Sequence, residues 1–263
     1  MIFREAGNEG SPAVLLIHGM LCTAEDSLSY GKYLAEDHFV ICPTLDGHGE
    51  DKYDLISAHD EAVKIVAYLK EKDINSVSLL QGCSMGAEVA LSVLKECERN
   101  GITVEKAFFD GGPFFDFHPL FRKFMEAVFT SLISRIEESH DSEVIVSHPF
   151  VRFVGGKKAD AFRPLMEKVA EGKQHYTQSS VKGMVETCYH CQLPVLDRET
   201  QKRCMFFFSR EEPARKSRKR LKKAYPDALY TSINGHPHCG LMINKPESYS
   251  KMLRSYMMLD CSK

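Results

Sequence analysis

The segment Gln81-Gly82-Cys83-Ser84-Met85-Gly86 sets a serine between two glycines in a G-x-S-x-G spacing. A serine hydroxyl is nearly inert at neutral pH. It becomes a nucleophile when an imidazole takes its proton and a carboxylate fixes the tautomer of that imidazole and stabilises its cation. The context of the motif gives it weight. An apolar run, Val77-Ser78-Leu79-Leu80-Gln81, precedes it, and a stretch of helical periodicity, 84–99, follows. A sharp strand-to-helix turn strains the serine backbone and brings strand and helix so close that only small residues fit two positions away on either side. Gly82 and Gly86 meet that demand. The turn also sets Ser84 at a helix N-terminus, where unpaired N–H groups and the helix dipole favour developing negative charge. The plainer reading of the same residues is a glycine-rich turn with a serine N-cap.

The elements that must hold such a serine alternate along the chain. Short apolar runs bounded by turn residues lie at 13–17, 39–42, 77–81 and 106–109, and read as strands of a parallel sheet covered on both faces. Helical stretches at 25–36, 59–72 and 84–99 separate them, which implies an α/β architecture with right-handed crossovers. After Asp110-Gly111-Gly112-Pro113 the pattern changes. Phe117, Phe121, Phe124, Val128 and Leu132 recur at helical spacing, and a strand-like run returns only at Glu143-Val144-Ile145-Val146. Firm strands resume at 203–208 and 228–233, and a helix at 246–257 follows. The region 114–176 is therefore expected to be a largely helical insertion over the sheet. It divides a core of 1–113 and 177–263.

With these segments in view, the chain resembles the α/β-hydrolase-fold serine hydrolases over most of its length. His18-Gly19-Met20 resembles the family's H-G-x oxyanion segment. Thr44-Leu45-Asp46-Gly47-His48-Gly49 resembles its D-x-x-G-x-G loop, with Thr44 where Asp is usual. Gly82 to Gly86 resembles the nucleophile elbow, and Ser209-Arg210-Glu211-Glu212-Pro213 the G-x-x-D-P at the acid strand. The segment with His236 and His238, followed by Pro246-Glu247, resembles the histidine loop and last helix. The region 114–176 matches no motif. The resemblance implies a mainly parallel sheet flanked by helices, with a helical cap.

It also implies a set of site residues: Ser84 as nucleophile, then an acid, then a histidine, in the chain order this fold uses. His238 lies 8 residues before Pro246 and His236 lies 10 before it; the shorter spacing suits the family's loop, and Gly240 allows a close return. Aligning Ser209 with the family's Gly puts Glu212 at the carboxylate position, one methylene longer than the usual Asp. Glu211 is its neighbour, and Asp110 ends the preceding core strand, where some members of the fold carry the acid. The oxyanion hole would be the N–H groups of Met20 and Met85. His18 would orient the oxyanion loop rather than act as a base.

The implied activity is hydrolysis of a small or medium apolar ester through an acyl-enzyme, with no cofactor and no metal. Thioester cleavage, acyl transfer or C–C bond hydrolysis would use the same residues, and a non-catalytic ligand-binding role is the alternative from outside enzymology. Ser at the elbow, rather than Asp, counts against dehalogenase and epoxide-hydrolase chemistry.

Composition bounds the rest. The chain has 263 residues, 43% hydrophobic and 27% charged, enough for a full core without staples. Lys+Arg 34 against Asp+Glu 36 gives a net charge of −2, which argues against a nucleic-acid partner. No run of about 18 apolar residues predicts a membrane-spanning helix. The start lacks a basic flank with an apolar stretch, so no secretory leader is expected. Nine cysteines without a framework spacing suggest free thiols and a cytoplasmic setting. Cys188-Tyr189-His190-Cys191 is half of a zinc signature whose second half is missing. The basic run Arg215 to Lys223 reads as a solvated helix face, or as a surface for an anionic partner. Eight of the 16 Phe fall within 108–129; they suit a packed cap, an apolar acyl or alcohol pocket beside Ser84, or both.

Overall fold

The computed structural model describes residues 1–49, 53–172 and 176–260. Eight strands form one sheet: β1 (Ile2–Ala6), β2 (Ala13–Ile17), β3 (Phe39–Thr44), β4 (Ser76–Cys83), β5 (Thr103–Val104), β6 (Ala107–Asp110), β7 (Cys204–Ser209) and β8 (Leu229–Ile233). Their order is β1-β3-β2-β4-β6-β7-β8, with β5 paired to the start of β4. All pairings are parallel except β1 with β3.

Side chains alternate between two buried layers. On β2, Leu15 and Ile17 face the layer of the helices Ala58–Glu71 and Met85–Arg99, while Val14 and Leu16 face that of Ala24–Gly31 and Pro246–Met257. A strand buried on both faces has no polar side to show, which is why these strands read as continuous apolar runs. The register of β2 on β4 shifts between Ala13 and Val14, which pair with Val77 and Leu79. Beyond that shift Leu80 and Gly82 lie on one face and Leu79, Gln81 and Cys83 on the other, by the period of two. Gln81 is buried and polar, and its partners come from both helices of the layer on its own face. The Tyr30 hydroxyl donates to Gln81 Oε1 at 2.6 Å, and Gln81 Nε2 donates to the Tyr249 hydroxyl at 3.1 Å. The first helix and the last are thereby tied to the strand that carries Ser84.

Most elements lie where the sequence predicts them, with shifts of one or two residues at their ends. Two differences have physical causes. The 143–146 run is helical, within Ser142–Val146, because Asp141 caps it by accepting from the Glu143 N–H and Ile145 and Val146 are buried among neighbouring helices. Four apolar residues are too few for periodicity to separate strand from helix. The predicted helix 25–36 is shorter, Ala24–Gly31, and ends in tight turns. Two strands are additions: β1, a half-exposed edge strand without strict alternation, and the two-residue β5.

Between β6 and β7 the described residues are mainly helical. They run through Pro119–Ser139, Ser142–Val146, Pro149–Gly155, a 3-10 segment Gly156–Phe162, Arg163–Glu171, Gln178–Tyr189 and the short Arg198–Lys202. Helices thus continue to Lys202, beyond the expected 176. Residues 173–175 of the expected insertion lie outside the described residues.

The elbow follows from steric limits. Ser84 has φ 52° and ψ −126°, and the helix Met85–Arg99 begins at once. A Cβ on Gly82 would come within 2.2 Å of the Gly86 carbonyl oxygen, and one on Gly86 within 2.2 Å of the His18 carbonyl oxygen. Neither oxygen can yield, since both are backbone in packed elements. Gly86→Ala is expected to cost about 3 kcal/mol or more of stability in urea unfolding. Gly10→Ala, whose new methyl meets nothing nearer than 3.6 Å, stays within about 0.5 kcal/mol of wild type.

Candidate active site

Carboxyl ends of five strands converge on one place. β4 delivers Ser84, β2 leads into His18-Gly19-Met20, β6 ends in Asp110, β7 leads to Glu212 and β8 to His238. Ligand sites of open parallel sheets lie beyond the carboxyl ends of the strands because the connecting loops gather there.

Ser84 is half-buried, and its backbone N–H donates to the Asp110 carbonyl at 2.7 Å, which ties the elbow to β6. Its hydroxyl lies 2.9 Å from His238 Nε2. His238 Nδ1 bonds Glu212 Oε2 on the far side of the ring. With Nδ1–H donating to the carboxylate, Nε2 is left free to accept the serine proton. The other Glu212 oxygen accepts the Ser209 N–H at 2.6 Å, so the carboxylate is held from both sides, and the side chain is fully buried. The extra methylene of Glu is accommodated because the chain turns back after Ser209, and the carboxylate hydrogen-bonds the end of its own strand.

Burial disfavours the His238 cation. The Glu212 carboxylate outweighs that by charge and by hydrogen bond, and Asp110 adds to it, so the imidazole pKa lies above its ordinary 6.5. Asp110 behaves differently. It is 2% exposed, and burial, reinforced by the negative charge of Glu212, pushes its carboxyl up to about 7, with His238 and the Tyr249 hydroxyl only partly opposing this. One of its oxygens, Oδ2, has no hydrogen-bond partner among the described residues. A carboxyl in that setting is substantially protonated at neutral pH.

The remaining candidates sit elsewhere. Glu211 is 51% exposed at its side chain and faces Lys158 at 3.5 Å. The His236 ring has its pKa lowered by burial and by Lys245 and Lys158, while its carbonyl accepts the Ser209 hydroxyl. Neither residue is hydrogen-bonded to Ser84 or His238 among the described contacts. Met85 supplies the first N–H of its helix, a donor that intrahelical bonding leaves over. Met20 lines the cavity beside Ser84, and the Gly19 Cα is so near that a methyl there would lie 3.1 Å from Ser84 Cβ.

His18 explains how that loop is held. It is 1% exposed; its Nε2 accepts the Leu45 N–H at 2.9 Å and its Nδ1–H donates to the Gly19 carbonyl at 2.7 Å. The bond accepted at Nε2 requires the neutral ring.

Gly111 is a residue that motif reading passes over. It has φ +64°, and a Cβ there would meet the His238 ring at 2.8 Å and Glu212 Oε2 at 3.0 Å. Its signal was the Asp110-Gly111-Gly112-Pro113 turn, legible as a turn but not as the wall behind an imidazole.

A cavity of about 640 Å³ opens beside Ser84 and His238. Phe121, Phe124, Val128 and Leu132 of Pro119–Ser139 line it, opposite Phe150 and Val154. Cys188 lies on its wall, and Cys188 and Cys191 are both buried as free thiols. Among the described residues no group of three or more His, Cys, Asp or Glu could hold a metal ion. The basic run divides into the 3-10 turn Pro213–Ser217 and the helix Arg218–Ala224. Arg220 there donates to the Phe114 and Cys191 carbonyls, both at 2.8 Å, a structural use of a charge that composition presents as surface.

No family model matches the chain. No curated protein matches it either. Solved structures do. An alpha/beta hydrolase family protein from Desulfitobacterium hafniense superposes with a TM-score of 0.77 at 18% identity, over 97% of this chain and 99% of that one. The chain has the α/β-hydrolase fold. An esterase from Thermogutta terrifontis with this fold gives a TM-score of 0.73 at 14% identity, over 97% and 92%. A bromoperoxidase from Bacillus anthracis gives 0.72 at 17%, over 97% and 94%. At such identities the likeness is one of α/β-hydrolase architecture. Among the described residues no helix is long and apolar enough to cross a membrane.

The buried His18 makes stability depend on pH. Burial, only partly offset by the Gly19 carbonyl, pushes its pKa down to about 4 from 6.5. The unfolded chain then binds a proton between those values that the folded protein refuses, so this contribution to stability is lost as pH falls from 6.5 towards 4. Between pH 7 and pH 5 wild type is expected to lose about 2 kcal/mol more than His18→Gln, read by urea unfolding at both pH values.

Proposed function

We propose that the protein is a serine hydrolase acting on carboxylic esters of apolar character. Ser84 attacks the ester carbonyl while His238 Nε2 takes its proton. Glu212 holds the ring in the tautomer that can accept that proton and stabilises the cation that results. The tetrahedral oxyanion is received by the N–H groups of Met20 and Met85, aided by the positive end of the helix Met85–Arg99. His238 then returns the proton to the leaving alcohol. Water, deprotonated in turn by His238, cleaves the acyl-enzyme and restores Ser84. Every bond formed or broken is accounted for by these groups and water.

A single observation carries the reading: an unbroken hydrogen-bond relay from a buried carboxylate through an imidazole to a strained serine, at the wall of an apolar cavity. A structural serine has no need of positive φ at a crossover. Asp110 is assigned no proton-transfer role, because a carboxyl that is substantially neutral at pH 7 is a poor stabiliser of an imidazolium. The expected insertion, 114–176, acts as the cap in this reading through its described helices from Pro119 to Glu171, and the buried free thiols suit a cytoplasmic setting.

Hydrolysis of an activated phenyl ester tests it. Ser84→Ala is expected to lose acyl-enzyme turnover and to lower kcat/KM by about 10⁴-fold or more, and Glu212→Gln to lower it by about 10³–10⁴-fold. Asp110→Asn, which keeps a neutral group of the same shape, stays within about threefold of wild type. Equal rates for wild type and Ser84→Ala overturn the mechanism; a collapse in Asp110→Asn with Glu212→Gln spared moves the acid to β6.

A further inference from the structure

We infer that the substrate carries one long, uncharged aliphatic chain, of roughly eight to a dozen carbons, which lies along the helix Pro119–Ser139. This deepens the esterase reading and rests on it for the chemistry, though not for the binding. It also departs from the small or medium ester that the sequence suggests.

Size comes first. The cavity, about 640 Å³, lies well inside the range of sites that enclose an entire drug-sized ligand. An acetyl or butyryl group would fill a small part of it. Unfilled apolar space costs dispersion contacts or holds poorly bonded water, so such a cavity selects for a ligand that fills it.

Direction comes from one helix. Phe121, Phe124, Val128 and Leu132 all line the cavity and descend one face of Pro119–Ser139. Eleven residues at 1.5 Å rise give about 16 Å from Phe121 to Leu132, the length of roughly a dozen carbons in an extended chain. Leu132 is buried, whereas Phe124 is 61% exposed and Phe153, also in the lining, is 64% exposed. The cavity thus runs from a closed apolar interior to an open aromatic rim. Packing does not account for the exposed aromatics: large apolar side chains left in water at a cavity mouth are free to gain from covering a ligand.

Charge comes last. Ser84, His238, Tyr189, Cys188 and Lys216 are the lining residues that carry an ionisable or hydroxyl side chain; burial keeps the Cys188 thiol neutral, and Lys216, the permanent cation among them, is exposed. Among the described lining residues, the Phe121–Leu132 face has beside it one hydroxyl, that of Tyr189, and no charged side chain that could pair with a carboxylate or ammonium on the chain. A charged group there would be desolvated without compensation.

The chain could enter as the acyl or as the alcohol part, and two ester series separate these. One is p-nitrophenyl acyl esters from two to twelve carbons, below their micelle concentrations; the other is alkyl acetates of the same lengths. In one series kcat/KM is expected to rise by up to about fourfold per methylene, the rate equivalent of about 0.8 kcal/mol each, and to level off where the rim is reached. Val128→Trp narrows the cavity and moves the optimum to shorter chains. Binding is read separately from catalysis with methyl parinarate, a fluorescent long-chain ester, titrated into Ser84→Ala. Saturable binding that Val128→Trp weakens at least tenfold in the Ser84→Ala background supports the inference even if no ester is cleaved, an outcome that would sink the catalytic reading alone. Turnover that peaks at two to four carbons in both series, or an unchanged profile in Val128→Trp, overturns the inference and leaves the esterase reading standing.

Discussion

The backbone of Ser84 is the constraint on which the rest depends. A non-glycine residue at φ 52° and ψ −126° stores of order 1–3 kcal/mol and persists only where its surroundings leave no alternative. Here the surroundings are specific. The Ser84 N–H is tied to the Asp110 carbonyl, and Gly82 and Gly86 let β4, β2 and the helix Met85–Arg99 close to backbone contact. Gln81, one residue before the elbow glycine, anchors Tyr30 and Tyr249 in the layer opposite that helix. Strain at one residue is thus balanced by burial on both faces of the sheet, and its product is a hydroxyl lifted clear of the strand towards the His238 ring.

Around that hydroxyl the electrostatics are asymmetric. Two carboxyl groups lie near the His238 ring, and they differ in what surrounds them. Glu212 receives the ring and a backbone N–H, whereas Asp110 has one unbonded oxygen and a neighbour of like charge. Two buried carboxylates so close would not both ionise readily. Glu212 is the carboxyl hydrogen-bonded to the imidazole, and the neutral His18 beneath the Gly19–Met20 loop adds no competing charge.

Much of this was legible in the sequence because the relevant constraints are local. The elbow is a matter of glycine spacing, and strands buried on both faces announce themselves as unbroken apolar runs. The order of serine, acid and histidine follows the order of the strands that deliver them. What escaped was set by tertiary contact. The 143–146 run is helical because helices surround it. Gly111 matters because an imidazole from the other half of the chain rests against it. Glu212 was legible from its spacing after Ser209, whereas its burial and the Ser209 N–H that holds its carboxylate were not. The Phe repeats at 117–132 marked a helix with an apolar face, but whether that face packs or lines a cavity depends on what stands opposite, and here it does both.

The most direct test of the central claim is the rate at which a fluorophosphonate modifies Ser84 in the folded protein, followed by mass spectrometry across pH 5 to 9. A serine activated by a neutral imidazole whose pKa lies above 6.5 should form one adduct, on Ser84, at a rate that climbs with pH through that value and then levels off. No adduct on residue 84, or a rate indifferent to pH, would contradict the account.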